Sequence, residues 1–338
     1  MSLTLAEARR LATDLLTAAG MPLDTAKRTA WCVSVAEAWG VASHGLLRLP
    51  YYLHRIQAGG YPPDAELRTV TDTGPLVALD GGGGLGHWQA WHAAELATGR
   101  CARYGIAAVA VADSGHCGAL GLYTVPGIEA GQITLAFSNG PAVMPAWGGA
   151  RPLLSTSPLA AGIPTRPRPV IVDMATSAVA RGKIAAHARD GTPLPPGWAL
   201  DADGRPTTDA RAALHGLLAP LGGAKGFALA LLVEALAGGL AGPNLSAAVP
   251  DMFADTDAGH PQRVGHLLIA IDVARFEAAG DRLDRLASSV EAGGGRLPGA
   301  RRRLPSELHP DQPLDTADST LAELRGWADR LGVARNVR

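Results

Sequence analysis

The chain has 338 residues, 30 of them Lys or Arg and 31 Asp or Glu, for a formal net charge of −1. That balance excludes a basic nucleic-acid binder and an acidic solvating tail as default readings, and 5% aromatic content leaves little for stacking single-stranded nucleic acid. With 47% hydrophobic residues a sizeable core can be buried, so the 42 glycines and 25 prolines, which follow no period, indicate neither collagen nor disorder.

The first helix opens on a capping box, Thr4 with Glu7. Leu5, Ala8, Leu11, Ala12, Leu15 and Leu16 keep helical spacing up to the stop at Gly20. The charges Glu7, Arg9, Arg10 and Asp14 make this an amphipathic helix and not a signal peptide. A second helix is expected from Asp24 to Trp39, stopped by Gly40, and a third from His44 to Ala58, stopped by Gly59-Gly60. Pro62-Pro63 break the helical pattern. Short apolar runs then read as strands: Leu76 to Leu79, Ile106 to Ala112, Ile133 to Phe137, Val170 to Val172 and Leu267 to Ile271. Helices are expected near Trp88 to Arg103 and Gly226 to Leu240. The Phe227 to Leu240 run is too short for a membrane span, holds Glu234 and is rich in Ala and Gly, so it reads as a buried helix. Asp201 to Asp209 and Asp251 to Gln262 read as exposed loops, and Ser319 to Leu331 as a last amphipathic helix before Gly332. The pattern is α/β with helical ends, divided as a helical region 1–70, a sheet core 71–274 and a C-terminal segment 275–338 that packs back on the N-terminal region. Three scattered cysteines, Cys32, Cys101 and Cys117, form no CxxC pair, and the ten histidines form no HxH or HExxH. Neither a disulfide framework nor a metal site is expected, and the chain reads as cytoplasmic, without a membrane or nucleic-acid partner.

Four segments could carry chemistry. Gly81 to Gly86 satisfies GxGxxG between a strand and a helix, the setting of a dinucleotide fingerprint. Four consecutive glycines meet loose patterns easily, and no acid stands about 20 residues on, at the end of a second strand. A glycine turn feeding a helix is the better reading. Leu221-Gly222-Gly223-Ala224-Lys225-Gly226 precedes an apolar helix, where N–H groups and a lysine make an anion site; a tight turn with a solvated lysine is the equal alternative. Ser43-His44-Gly45 with Arg48 would put an imidazole and a guanidinium on one helix face, able to hold a 2-oxo or 2-hydroxy acid; on its own, the pair reads as a surface His and Arg. His116 and Cys117 lie in a glycine-rich loop after a strand, where polar residues often face a cleft. Adjacent residues seldom pair as nucleophile and base, which disfavours a cysteine hydrolase.

Taken in order, Gly40 to Tyr52, Ser114 to Leu120, Thr156-Ser157-Pro158, Asp173 to Ser177, Gly182-Lys183, Trp198 to Asp201, Pro206 to Asp209, Gly223 to Gly226 and Pro298-Gly299 resemble the second type of malate/L-lactate dehydrogenase, from about residue 5 to 300. This group also holds ureidoglycolate and sulfolactate dehydrogenases and piperideine-2-carboxylate reductases. The resemblance implies an NAD(P)-dependent oxidoreductase on a non-Rossmann sheet, dimeric, with active sites between subunits. It favours the turn reading of Gly81 to Gly86 and the cofactor reading of the Lys225-Gly226 turn. It implies that Asp173, Met174, Ala175, Lys225, Gly226 and Gly299 line NAD or NADP, NADPH being favoured. It implies that Ser43, His44, Arg48, Tyr52, His116, Thr156 and Lys183 surround substrate and nicotinamide: His116 as acid/base, His44 and Ser43 orienting, Lys183 polarising the oxygen, and Arg48, Tyr52 and Thr156 binding substrate. Three positions depart from the usual pattern: Ser157 where Asn is usual, Ala42 where an acid or His often stands, and Ala300 where Glu is usual. A 2-hydroxy acid dehydrogenase is the first expectation, because Lys183 would repel an iminium; a reductase of a cyclic 2-imino acid is the alternative, and an inactive dimer is disfavoured by the retained site residues.

Overall fold

The computed structural model describes residues 3–252 and 254–334. Residues 1–2, 253 and 335–338, which the ranges 1–70 and 275–338 and the Asp251 to Gln262 loop include, lie outside the described residues.

Helix α1 (Leu5–Ala18) forms with its expected box: Thr4 Oγ1 accepts from the Glu7 N–H at 3.2 Å and the Glu7 carboxylate accepts from the Thr4 N–H at 2.9 Å. Helix α2 (Leu23–Ala38) follows and packs against it. The expected third helix is different. Residues Ala42–His44 and Leu46–Arg48 form two single 3-10 turns, and α3 is only Leu49–Ala58. Two constraints break the longer helix. Pro50 has no N–H and belongs in a first turn. A Cβ on Gly45 would overlap the buried Glu37 carboxylate, whose Oε2 accepts from the Leu46 N–H at 2.9 Å.

The main sheet has seven strands. In spatial order they are β1 (Arg68–Asp72), β2 (Leu76–Asp80), β3 (Ile106–Ser114), the Val264–Asp272 strand, β4 (Gln132–Ser138), the Leu159–Ile163 strand and the Val170–Met174 strand. Every expected strand is among them. Only β2 and β3 run parallel, joined by helix α4 (Gly86–Tyr104); the other neighbours are antiparallel. A doubly wound dinucleotide fold needs several such parallel crossovers. This sheet has one, as the non-Rossmann expectation requires.

Three apolar cores divide the packing. One joins the sheet to α2 and α4 through Val77, Val109, Val111, Ala94 and Leu268. A second joins α1, α2 and α3 to the Asp318–Leu331 helix through Leu15, Leu49, Leu53, Leu324 and Trp327. A third lies under the Arg181–Asp190 and Ala224–Glu234 helices, around Ile184, Leu194 and Ala230.

The helix expected to be buried at Gly226 to Leu240 is only partly so. It runs Ala224–Glu234 and continues as a wide π turn, Ala235–Ala241. Leu229, Leu231, Leu232 and Leu240 are 43%, 49%, 54% and 69% exposed. Glu234 is buried inside this apolar run because it caps a turn, accepting from the Ser246 N–H at 2.6 Å. By length and composition alone the run could cross a membrane.

The Gly81 to Gly86 turn is packed shut. Its Gly81 and Gly83 N–H groups donate to the carbonyls of Ala112 and Asp113 at 2.8 and 2.7 Å. A Cβ on Gly86 would overlap the Gly115 carbonyl oxygen, and one on Gly84 would come 2.6 Å from Ala65 Cβ. Gly99, in the middle of α4, meets nothing within 4 Å. Gly99→Ala should therefore stabilise by about 0.5–1 kcal/mol through helix propensity. Gly86→Ala should destabilise by about 1–3 kcal/mol through overpacking. Urea melts of the two variants check both signs.

Candidate active site

The 3-10 turns, α3, the start of α4 and the loop after β3 converge on a cluster of rings. Tyr52 is fully buried, and its hydroxyl hydrogen-bonds His116 Nδ1 at 2.8 Å. The Gly118 N–H also donates to that nitrogen, at 3.3 Å. Nδ1 thus carries a lone pair, and the neutral ring holds its proton on Nε2. His44 stacks on His116 with ring centroids 5.6 Å apart and planes 22° apart. Ser43 Oγ lies 2.9 Å from His44 Nδ1, and Arg48 Nε donates to the Ser43 carbonyl at 3.0 Å. Ser43, His44, Arg48, Tyr52 and His116 are therefore brought together, although His44 and Arg48 meet across two tight turns and not on one helical face.

Sequence reasoning missed a third imidazole. His87, at the second position of α4, is 1% exposed and packs edge-on against Tyr52, 4.9 Å between centroids. Its ring centroid is 6.3 Å from that of His116, and neither of its nitrogens has a hydrogen-bond partner. A histidine directly after the glycine turn was the available signal. His266, also unforeseen, is fully buried and lies 3.1 Å from the Gly115 carbonyl and 3.0 Å from Ser138 Oγ.

Burial keeps these rings neutral. It drives His87 down to about 3 and His266 to about 4. Burial, aided by the Arg48 charge, brings His44 to about 4. Burial, His44 and Arg48 together hold His116 well below the ordinary histidine range. Burial also pushes the Cys117 thiol up to about 12, so it carries no thiolate at neutral pH for nucleophilic chemistry. All three cysteines are buried and unpaired, and no group of three His, Cys, Asp or Glu able to hold a metal occurs among the described residues.

The second group of sequence-flagged residues gathers at the Val170–Met174 edge strand. Thr176, not singled out from sequence, joins three segments. Its N–H and hydroxyl both donate to the Thr156 carbonyl, at 2.9 and 3.0 Å, and its carbonyl accepts from the Leu221 N–H at 2.9 Å. Ser157 sits between them at φ +41°, a left-handed conformation that Asn tolerates better than Ser. Pro298 and Gly299 lie along the same strand: the Ile171 N–H donates to the Pro298 carbonyl, and Gly299 at φ +75° leaves no room for a Cβ beside Ile171. Asp173 is held by Arg302, also unforeseen, at 3.0 Å, and Arg302 stacks over Trp39. Met174 is exposed and Ala175 partly so. Gly226 packs on the Leu221 carbonyl, where a Cβ would overlap, so the Lys225 turn closes tightly onto the segment that Thr176 holds. Lys183 and Lys225 stand exposed on the first turns of their helices, neither in hydrogen-bond contact with the ring cluster.

A sequence model for malate/L-lactate dehydrogenases matches residues 3–324. The chain is 38% identical to a (2R)-3-sulfolactate dehydrogenase (NADP(+)) of Chromohalobacter salexigens over 96% of this chain and 98% of the relative. It is 37% identical to a Delta(1)-pyrroline-2-carboxylate reductase of Ancylobacter novellus over 97% and 98%. A delta1-piperideine-2-carboxylate reductase from Pseudomonas syringae superposes with a TM-score of 0.88 at 30% identity, over 97% of this chain and all of that one. With its one parallel crossover, its imidazole cluster and this similarity along almost the whole length, the chain belongs to the malate/L-lactate dehydrogenase family.

Proposed function

We propose that the chain interconverts a small 2-oxo acid and its 2-hydroxy acid, with NAD or NADP as hydride partner and NADPH favoured. The observation that supports this most directly is the tautomer of His116. Tyr52 and Gly118 occupy Nδ1, which leaves an Nε2–H beside His44 and the Arg48 charge. A carboxylate on Arg48 and a carbonyl oxygen at His116 is the pairing a 2-oxo acid offers.

The dinucleotide fits the second group of residues. Gly226 is tightly turned, the first N–H groups of the Ala224–Glu234 helix have no partner within the helix, and Lys225 adds a cation at that terminus, a setting suited to a phosphate. Asp173, Met174, Ala175 and Gly299 would line the rest. A bound nicotinamide supplies or takes up the hydride. Arg48 holds the substrate carboxylate, His44 and Ser43 orient it, and Thr156 shapes the pocket. During reduction the protonated His116 ring gives its Nε2 proton to the oxygen and is left neutral with its proton on Nδ1, donated to the Tyr52 hydroxyl; oxidation reverses this, Nε2 taking the proton from the substrate hydroxyl. Lys183, on the first turn of the Arg181–Asp190 helix, polarises that oxygen. The free site disfavours imidazolium at His116, with Arg48 one of the causes. An anion neutralising Arg48 removes that cause, so substrate binding promotes proton uptake.

A second reading, reduction of a cyclic 2-imino acid, is favoured by the similarity to the pyrroline- and piperideine-2-carboxylate reductases. Rates of NADPH and NADH oxidation with a panel of 2-oxo acids and cyclic imines separate the two. Activity confined to the imines would overturn the first reading.

The exposed Leu229, Leu231, Leu232 and Leu240 support a homodimer. This uncharged face starts at the Lys225 turn, so a second copy covering it lies beside the cofactor residues. A cytoplasmic location is part of the same proposal, supported by the similarity to dehydrogenases of small acids.

Three outcomes are expected. Arg48→Ala removes a charge-assisted pair worth about 2–5 kcal/mol, so kcat/KM should fall about 30-fold or more; the wild type should discriminate equally against the substrate ester, and no discrimination defeats the assignment. His116→Ala should lower kcat by about 10²–10⁴-fold with cofactor Kd unchanged. In the wild type the neutral ring is the base, so oxidation should hold a plateau from neutral pH to well below 6.5 and fall as His116 protonates, while reduction speeds up as pH drops; a dead His44→Ala beside an active His116→Ala would exchange the two roles. Finally, sedimentation should show a dimer that Leu232→Asp converts to monomer, and a monomeric wild type rules the interface out.

A further inference from the structure

The His116 backbone is held by a residue far away in sequence. Its N–H donates to Gln262 Oε1 at 3.1 Å, and the Tyr61 hydroxyl donates to the same oxygen. Gln262 is 1% exposed, and its Nε2 donates to the Tyr51 hydroxyl at 3.4 Å. The amide therefore uses both ends: its carbonyl serves the loop and Tyr61, and its NH2 serves Tyr51.

The segment that carries Gln262 is itself fixed from α3. Arg55 is fully buried, and no acidic partner for it occurs among the described residues. It donates to the carbonyls of Asp257, at 3.1 Å, and of His260, and its guanidinium lies over the rings of Tyr51 and Tyr61, 5.7 and 5.1 Å from their centroids. Gly60 permits this approach, because a Cβ there would overlap the Ala258 carbonyl. The next residues, Arg263 and Val264, enter the strand beside Ser114, with Arg263 Nε 3.7 Å from Asp113 Oδ1. One face of α3 thus supplies both Tyr52, which holds the His116 ring, and Arg55, which holds the segment that holds the His116 backbone.

We propose that Gln262 is a positioning residue for His116: its side-chain carbonyl sets where the proton-transfer imidazole stands, and the Arg55 clamp sets where Gln262 stands. This rests on the reading of His116 as the acid/base. Gln262 acts through the main chain of His116, to which its side-chain oxygen is bonded. An aligned donor displaced by about 1 Å can lose about 10²-fold in rate, so one hydrogen bond to the loop is enough to matter.

The charged and titratable groups facing His116 are His44 and Arg48 from the 3-10 turns, Tyr52 from α3, His87 from α4 and His266 from the antiparallel strand. None is an acid. Gln262→Glu keeps the size and the acceptor while adding a carboxylate to this set. Two donors, Tyr61 and the His116 N–H, together with the nearby Arg55, favour its ionised form.

The test uses the full chain with nitrogen-15-labelled histidine, read by NMR without cofactor, alongside steady-state kinetics. His116→Ala identifies the His116 ring signals. Gln262→Glu should raise the His116 midpoint by about one unit or more, keeping Nδ1 as acceptor. Gln262→Ala should lower kcat about 10²-fold, with KM and the cofactor Kd within about twofold. A His116 midpoint unmoved in Gln262→Glu, or a Gln262→Ala kcat within about twofold of wild type, overturns the proposal. If Gln262→Ala does not fold, the Gln262→Glu titration alone decides. Should His116→Ala retain wild-type turnover, the acid/base reading fails, whereas the NMR shift still reports whether Gln262 positions the ring.

Discussion

Everything at the ring cluster depends on two stretches of main chain touching. The Gly81 to Gly86 turn and the Asp113 to Gly118 loop lie side by side at the ends of the parallel strands β2 and β3, bonded through the Ala112 and Asp113 carbonyls. Side chains would separate them: a Cβ at Gly86 meets the Gly115 carbonyl, one at Gly115 comes 2.5 Å from Tyr61, and one at Gly118 comes 2.6 Å from His87 Nε2. Glycine here serves close approach, as it does around a pyrophosphate, but the surface approached is protein. The result is a loop whose backbone is fixed from three sides, by the glycine turn, by His266 at Gly115 and by Gln262 at His116.

A second contact set orders the other half of the molecule. Thr176 ties the Thr156 segment and the Leu221 turn to the edge strand, while Gly299 and Arg302 close on that strand from the C-terminal side. Residues scattered over nearly 150 positions thereby share one edge. Such a surface is built from loop backbone, and this explains its density of glycines and threonine: small residues let main chains meet, and a hydroxyl bridges carbonyls that a strand would otherwise leave unpaired.

Local signals made much of this legible. The Thr4–Glu7 box, the strands from Leu76 to Ile271 and the α4 and C-terminal helices follow from capping and periodicity and appear within a few residues of their expected places. Long-range constraints were not legible. The third helix is cut by Pro50 and by Glu37 packing on Gly45. The exposed strand Arg68–Asp72 has no apolar alternation to read. The Ala224 to Ala241 run gives the same composition whether covered by its own chain or by a second copy, so burial was expected where leucines stand exposed. At the site, motif residues such as His44, Arg48 and His116 were visible, whereas His87, Gln262 and Arg302 matter only through what the fold sets beside them.

Charge distinguishes the two stacked histidines, which geometry alone leaves similar. Both rings are pressed toward the neutral form by burial and by Arg48. His44 also feels Asp173, which favours its protonation, so a negative charge already offsets part of the Arg48 field there. The largest influences on His116 besides burial are His44, Arg48, His87 and His266, all of which lower it. In the proposed reaction an anion on Arg48 would relieve the Arg48 contribution at both rings, leaving Asp173 to favour protonation of His44. Asp173 is itself paired with Arg302 at 3.0 Å, so the edge strand and the C-terminal segment together set the carboxylate that acts on His44.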